Sequence, residues 1–374
     1  MFRVSVLNST VNVVTKQTTT SRQMTSQSQP GNFILRAAAD LFPGYFALVM
    51  ATGIISIAAQ LLDMRPIALA LLVVNVIAYS FLWLLLLVRL ILFFARVKAD
   101  LADHVRGPGF FTVVAGTCVL GTEVVIVNGQ YRSALVLWII AAALWLVIMY
   151  SFFTLVTVRE NKPTIEAGLN GGWLIAVVST QSISVLGTLL SAQWGNYREP
   201  LLFLTLCLFL LGCMLYLLLI TLIFYRLTFV NITSAAMTPP YWINMGAVAI
   251  TTLAGARLII AAPTSSFLNE VLGFLKGFTV FFWAGATWWI PLLLILGFWR
   301  HGIKRFPLRY DPQYWGMVFP LGMYTVCTFQ LAKAINFPSL MIIPQVFVYF
   351  ALAVWLVTFV AMLHSIIVNK PATR

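Results

Sequence analysis

Few residues in this chain have the type and spacing to do chemistry, and they begin with one bulky ring beside a proline. Phe319 stands directly before Pro320 in the stretch Asp311–Lys333, DPQYWGMVFPLGMYTVCTFQLAK. At ~1.5 Å of rise per residue, that stretch is about as long as a bilayer's ~30 Å hydrocarbon core is thick. Proline has no N–H, so the carbonyl of Gly316 loses its helical partner and a kink is expected, with Gly316 and Gly322 flanking it. A phenyl ring there either closes a narrow point as a pore gate formed by Phe319 and Pro320, or packs against lipid or neighbouring helices. Its weakly positive edge would tolerate a passing anion better than a cation. Two ionisable residues, Glu123 and Arg257, fall deep in apolar stretches, and Lys333 lies near the end of another. Such charges normally face a bundle interior with a partner. Glu123 and Arg257 could form a buried pair that fixes the bundle, or Arg257 could attract an anion with Glu123 as a proton-linked group. Lys333 either adds to an outer positive vestibule or snorkels to the interface.

Composition supplies the setting. The chain is 61% hydrophobic and 9% charged, far below the ~25% charge of a soluble domain, so an all-α integral membrane protein is expected. The net charge of +13 does not point to nucleic acid, because the basic residues sit in short loops between apolar spans. Cys118, Cys207, Cys213 and Cys327 all lie in apolar stretches without metal-ligand spacing. With only 10 Asp plus Glu and 3 His, the chain lacks the carboxylate pairs, clustered His or Cys, or nucleophile–base sets of an enzyme. Nothing in it asks for a cofactor or metal.

Ten spans position these residues: Leu41–Leu62, Ile67–Phe94, Phe110–Val127, Leu135–Val156, Trp173–Leu190, Leu201–Tyr225, Tyr241–Ile260, Phe274–Phe298, Tyr314–Lys333 and Ile342–Val368. Residues 1–38 read as a disordered cytoplasmic tail, 39–369 as the membrane domain and 370–374 as a second short tail. Seventeen of the 23 Lys and Arg fall on the side of the N-terminus, which predicts a multi-pass cell-membrane protein with both termini cytoplasmic. Basic clusters around His104 and Arg106, and at His301, Lys304, Arg305 and Arg309, would lie at the cytoplasmic mouth, where they could gather anions or serve topology alone.

Each odd span opens on a Pro or Gly followed by aromatic or bulky residues, at Pro43, Pro108, Gly171, Pro239 and Pro312. The repeat predicts five helical hairpins. Odd spans carry small and hydroxyl residues, and even spans carry bulky aliphatic ones. An inner ring of odd helices inside an outer ring of even ones follows, unless the small residues serve tight packing alone. The pore-lining candidates are Thr52, Gly53, Gly116, Thr117, Thr180, Gln181, Thr251 and Gly322. Thr52, Thr117 and Thr180 each stand 9 residues beyond their repeat's first residue, where they could form one level of the pore or bond within their own helices.

The five-hairpin pattern, GYFALVMATGIIS in the first span, FFWAGATWWIPLL in the eighth and YWGMVFPLG in the ninth resemble the tellurite-resistance/C4-dicarboxylate transporter family of the voltage-dependent anion channel superfamily. Its members include fungal malate permeases, sulfite efflux pumps and plant slow-type anion channels. The resemblance runs from Pro43 to Val368. It implies ten helices with pseudo-five-fold symmetry, a central five-helix pore occluded by the phenylalanine that matches Phe319, a homotrimer in the lipid bilayer, and small anions as partners. Transport of a C4-dicarboxylate such as malate, or of sulfite, is one expectation, and a passive channel for chloride or nitrate is the other.

Overall fold

The computed structural model describes residues 33–368, and every regular element among them is helical. In chain order the α-helices are α1 (Phe33–Ala39), α2 (Ala47–Leu61), α3 (Arg65–Leu92), α4 (Phe94–Leu101), α5 (Phe111–Asn128), α6 (Tyr131–Val158) and α7 (Ile165–Gly168). They continue with α8 (Ile175–Leu190), α9 (Arg198–Phe229), α10 (Ile243–Ala261), α11 (Ser266–Glu270), α12 (Leu272–Phe298), α13 (Trp315–Ala334) and α14 (Ile342–Val368). Among the described residues, nine helices with their flanking turns are long and apolar enough to cross a membrane: α2, α3, α5, α6, α8, α9, α10, α12 and α14. At 20 residues α13 has the length, but Thr325, Thr328, Gln330 and Lys333 leave it less apolar. The segment expected to be unstructured up to residue 38 becomes helical at Phe33, where FILRAAA supplies good helix formers. The rest of that tail, and residues 369–374, lie outside the described residues.

The repeated openings form real elements. Pro43–Phe46, Gly107–Phe110, Gly171–Leu174, Pro239–Trp242 and Pro312–Tyr314 are 3-10 turns leading into α2, α5, α8, α10 and α13. Proline suits such a start, since the first N–H groups of a helix have no internal partner and its φ is already helical. Two of the five turns, those opening at Gly171 and Pro312, are also capped by a side chain. Asn170 Oδ1 accepts from Gly172 N at 2.7 Å, and Asp311 Oδ1 accepts from Gln313 N at 2.8 Å.

These five helices close on themselves, with α2 against α5, α5 against α8, α8 against α10, α10 against α13 and α13 back against α2. The five 3-10 turns touch their neighbours in the same cyclic order, so all five helices start at one end and run parallel. Outside them, α3 covers α2 and α5, α6 covers α5 and α8, α9 covers α8 and α10, and α14 covers α13 and α2. α12 lies on α10 and reaches α13 through Trp283 and Thr287. Inner apolar windows are 83–100% buried and outer ones 22–39%, which separates an enclosed ring from a surface facing lipid.

The ring closes tightly where its turns meet. A Cβ on Gly171 would collide with the Pro240 carbonyl oxygen, whereas Gly285 on α12 has nothing within 4 Å of such an atom. Gly171→Ala is therefore expected to lower stability by about 1–3 kcal/mol through overpacking against backbone. Gly285→Ala should be neutral or raise stability by up to ~1 kcal/mol through helix propensity. Melting curves of the two purified variants in detergent check the contrast.

Candidate functional site

Counting from each repeat's opening residue identifies the face that each inner helix turns to the centre. One residue along stand Gly44, Gly109, Gly172, Pro240 and Gln313; four along stand Ala47, Thr112, Ile175, Ile243 and Gly316. All ten line one vestibule of about 680 Å³, counting its open part, at the end where the helices start. Eleven along, Ile54, Val119, Ser182, Ile250 and Met323 line a narrow chamber. Fourteen along, Ile57, Thr122, Val185, Leu253 and Val326 line a second narrow one that overlaps it. Eighteen along, Ile126, Leu189, Arg257 and Gln330 line that chamber's far part. Side chains from all five inner helices thus surround one axis, at helical spacing.

Phe319 lies between the vestibule and the inner chambers. Seven residues beyond Pro312, it bounds the vestibule with Met50 and Val178 and is 1% exposed. The next layer starts one turn deeper, at Met323 and Ile54. α13 runs through Pro320 as a helix, and the proline ring seats where a Cβ on Gly246 of α10 would stand 2.7 Å from its Cγ. The parallel run of the helices also sets the field. Five N-terminal ends converge on the vestibule, each carrying roughly +0.5 of a charge in unpaired N–H groups, so this mouth favours anions.

The profile of the SLAC1 voltage-dependent anion channel family matches residues 40–363. The chain belongs to that family. An uncharacterized membrane protein of Mycobacterium tuberculosis is 42% identical over 146 residues, 39% of this chain and 74% of the relative. An uncharacterized transporter of Methanocaldococcus jannaschii is 25% identical over 305 residues, covering 79% and 84% of the two chains. A sulfite efflux pump of Trichophyton rubrum is 24% identical over 349 residues, covering 86% and 90%. Members of the voltage-dependent anion channel family are channels and transporters, not enzymes, and this chain is a membrane protein of that kind.

In this family member the hydroxyls expected to line the pore turn the other way. Thr52 Oγ1 accepts from Trp355 Nε1 on α14 at 3.0 Å, and Thr180 Oγ1 accepts from Trp145 Nε1 on α6 at 2.9 Å. Thr117 Oγ1 meets the Tyr79 hydroxyl of α3 at 3.1 Å and donates to the Val113 carbonyl at 2.7 Å. Gln181 donates to the Phe209 carbonyl of α9 at 3.0 Å, and Thr251 to Ala247 in its own helix at 2.7 Å. Gly53, Gly116 and Gly322 mark close approaches between helices: a Cβ there would meet Asn75 at 2.7 Å, the Phe46 carbonyl at 3.3 Å and Ile54 at 2.8 Å. None of these eight lines the axial chambers. The reason is that an indole N–H in hydrocarbon must find an acceptor, and inner-helix hydroxyls are the acceptors within reach. Sequence reasoning overlooked the aliphatic residues at the axis. The signal that could have found them is the row of Trp and Tyr on the even spans, which fixes where the threonines must point.

The expected pair of Glu123 and Arg257 does not form either. Glu123 Oε2 accepts from Asn75 Nδ2 of α3 at 2.6 Å, so the carboxyl braces α5 against α3 outside the axial chambers, while Arg257 faces the far one. Lys333 is exposed, with its ammonium 4.4 Å from the Phe329 ring centroid. At the opening end Asp100 holds both Arg89, at 2.6 Å, and Arg106, at 2.7 Å. Burial, then the neighbouring Arg159, holds His104 below the usual imidazole range. His301 Nδ1 is bonded to the Phe306 carbonyl at 2.8 Å. Much of the basic cluster is therefore tied into the scaffold.

Thr52→Val should leave the Trp355 N–H without an acceptor and cost about 1–3 kcal/mol, with anion selectivity unchanged. Glu123→Gln should shift stability without altering the pH dependence of flux. Thermal unfolding alongside flux assays in proteoliposomes reads both.

Proposed function

We propose that the ring of α2, α5, α8, α10 and α13 is a pathway for small anions, closed at Phe319. The observation that carries this is the sequence of chambers bounded by all five helices and interrupted at that one ring. In this reading α13 is the tenth crossing, the five hairpins are pseudo-five-fold repeats, and the vestibule opens to the cytoplasm on the side bearing most Lys and Arg. An anion collects among the helix N-termini and meets the phenyl ring, which excludes hydrated ions until it rotates away. It then crosses a short aliphatic stretch where dewetting adds to the barrier. Cations face an unfavourable potential at the vestibule. The sulfite efflux relative suits a small oxyanion as cargo.

Passive conduction is favoured over proton-coupled carriage by one observation: Glu123 is bonded to Asn75 away from the axial chambers, and none of the side chains lining those chambers is a carboxylate or a histidine. Phe319→Ala should raise small-anion flux in proteoliposomes at least about tenfold, equivalent to ~1.4 kcal/mol off the barrier, without following a pH gradient. A folded alanine variant with wild-type flux for sulfite, nitrate, chloride and malate would refute the gate.

A further inference from the structure

At the far end of the same axis the electrostatics reverse. Five parallel helices that start at the vestibule put their C-terminal carbonyls near the other mouth, where their partial negative charge repels anions. Arg257 stands there, near the end of α10, and Gln330 stands at the same depth on the neighbouring α13. Both line the far chamber, and neither makes a hydrogen bond or ion pair with another described residue. Glu123 is committed to Asn75. Thr122, also in the lining, spends its proton on the Cys118 carbonyl at 2.9 Å, so it offers only lone pairs. The other walls are Ile, Leu and Val.

Arg257 is half-buried, with the Tyr131 phenol as an electrostatic neighbour and no carboxylate partner among the described residues; a guanidinium so placed lacks a counter-charge, and an arriving anion supplies one. The chemistry of the two donors sets which anion. Guanidinium presents parallel N–H groups that grip two oxygens of one ligand, and Gln330 adds an amide donor from the next helix. A halide must take both N–H groups at one centre, so the parallel fork fits it less well than two separate oxygens. One positive charge neutralises one negative charge, so a dianion would carry its surplus into the aliphatic chamber beside it.

We propose that Arg257 and Gln330 form a selectivity station for singly charged oxyanions, those with two or more oxygens around a small centre. The station rests on the reading of the ring as an anion pathway, and its binding can be measured without flux. The probes are nitrate, formate, chloride and malate. Thermal stabilisation of purified wild type, Arg257→Lys, Arg257→Gln and Gln330→Leu in detergent gives relative affinities at the site. Nitrate/chloride permeability ratios in Phe319→Ala give the same preference in transit.

Wild type should bind nitrate and formate about tenfold more tightly than chloride, and malate more weakly than either. Arg257→Lys keeps the charge and should lose most of that preference. Arg257→Gln should bind none of the four measurably, and Gln330→Leu should weaken the oxyanions several-fold while sparing chloride. Wild-type preference in Arg257→Lys, or malate bound more tightly than nitrate, would overturn the proposal. Should Phe319→Ala fail to raise flux while the binding pattern holds, the gate falls and the station stands.

Discussion

A polar group at bilayer depth that does not face a water-filled path is stabilised by a partner inside the protein, and this preference turns the hydroxyl faces of the inner helices outward. Trp145 and Trp355 bring indole N–H groups into the interface between the two rings, and Tyr79 brings a hydroxyl. Thr180, Thr52 and Thr117 turn outward to meet them, each doing so from 9 residues beyond its repeat's opening. Once those faces are committed to the outer ring, the faces left for the axis carry mostly glycine, proline and aliphatic side chains, and the hydroxyls that remain there, Thr112, Ser182 and Thr122, donate to backbone carbonyls three or four residues back. The same bonds that hold the rings together make the path apolar.

An apolar path for anions needs a favourable potential supplied from elsewhere. The fold provides it through direction: because each inner helix is followed by an outer one that returns the chain, all five inner helices start at the same end. Their N-termini face the vestibule, and Arg257 stands where the opposing C-terminal charge gathers. In the proposed pathway the aliphatic layers between, with Phe319 at their head, are the seal, and its opening would require one side chain to move.

Much of this was legible in the chain. The Pro- or Gly-led openings at 43, 108, 171, 239 and 312 became five 3-10 turns in a closed cycle, because each marks a helix start that needs no donor. The contrast between small-residue and bulky spans gave the enclosed ring and its cover, since lipid tolerates only bulky apolar side chains. The orientation of individual hydroxyls was not legible, because it depends on a partner in the preceding span in one case and at the far end of the chain in another: Thr180 meets Trp145, and Thr52 meets Trp355. Glu123 and Arg257 misled for a related reason. Their depths match, but they point to different sides of their helices, and Asn75 offered the carboxyl a nearer partner.

The central claim is that the aliphatic face, and not the hydroxyl face, lines the route. Adjacent positions separate the two: Ile250 lines the inner chamber, while its neighbour Thr251 bonds within its own helix. In an open Phe319→Ala background with Cys118, Cys207, Cys213 and Cys327 replaced, a single cysteine at each position can be treated with a negatively charged methanethiosulfonate during flux. The account predicts that reagent blocks flux through Ile250→Cys and leaves Thr251→Cys untouched. Block at Thr251→Cys with Ile250→Cys unaffected would contradict it.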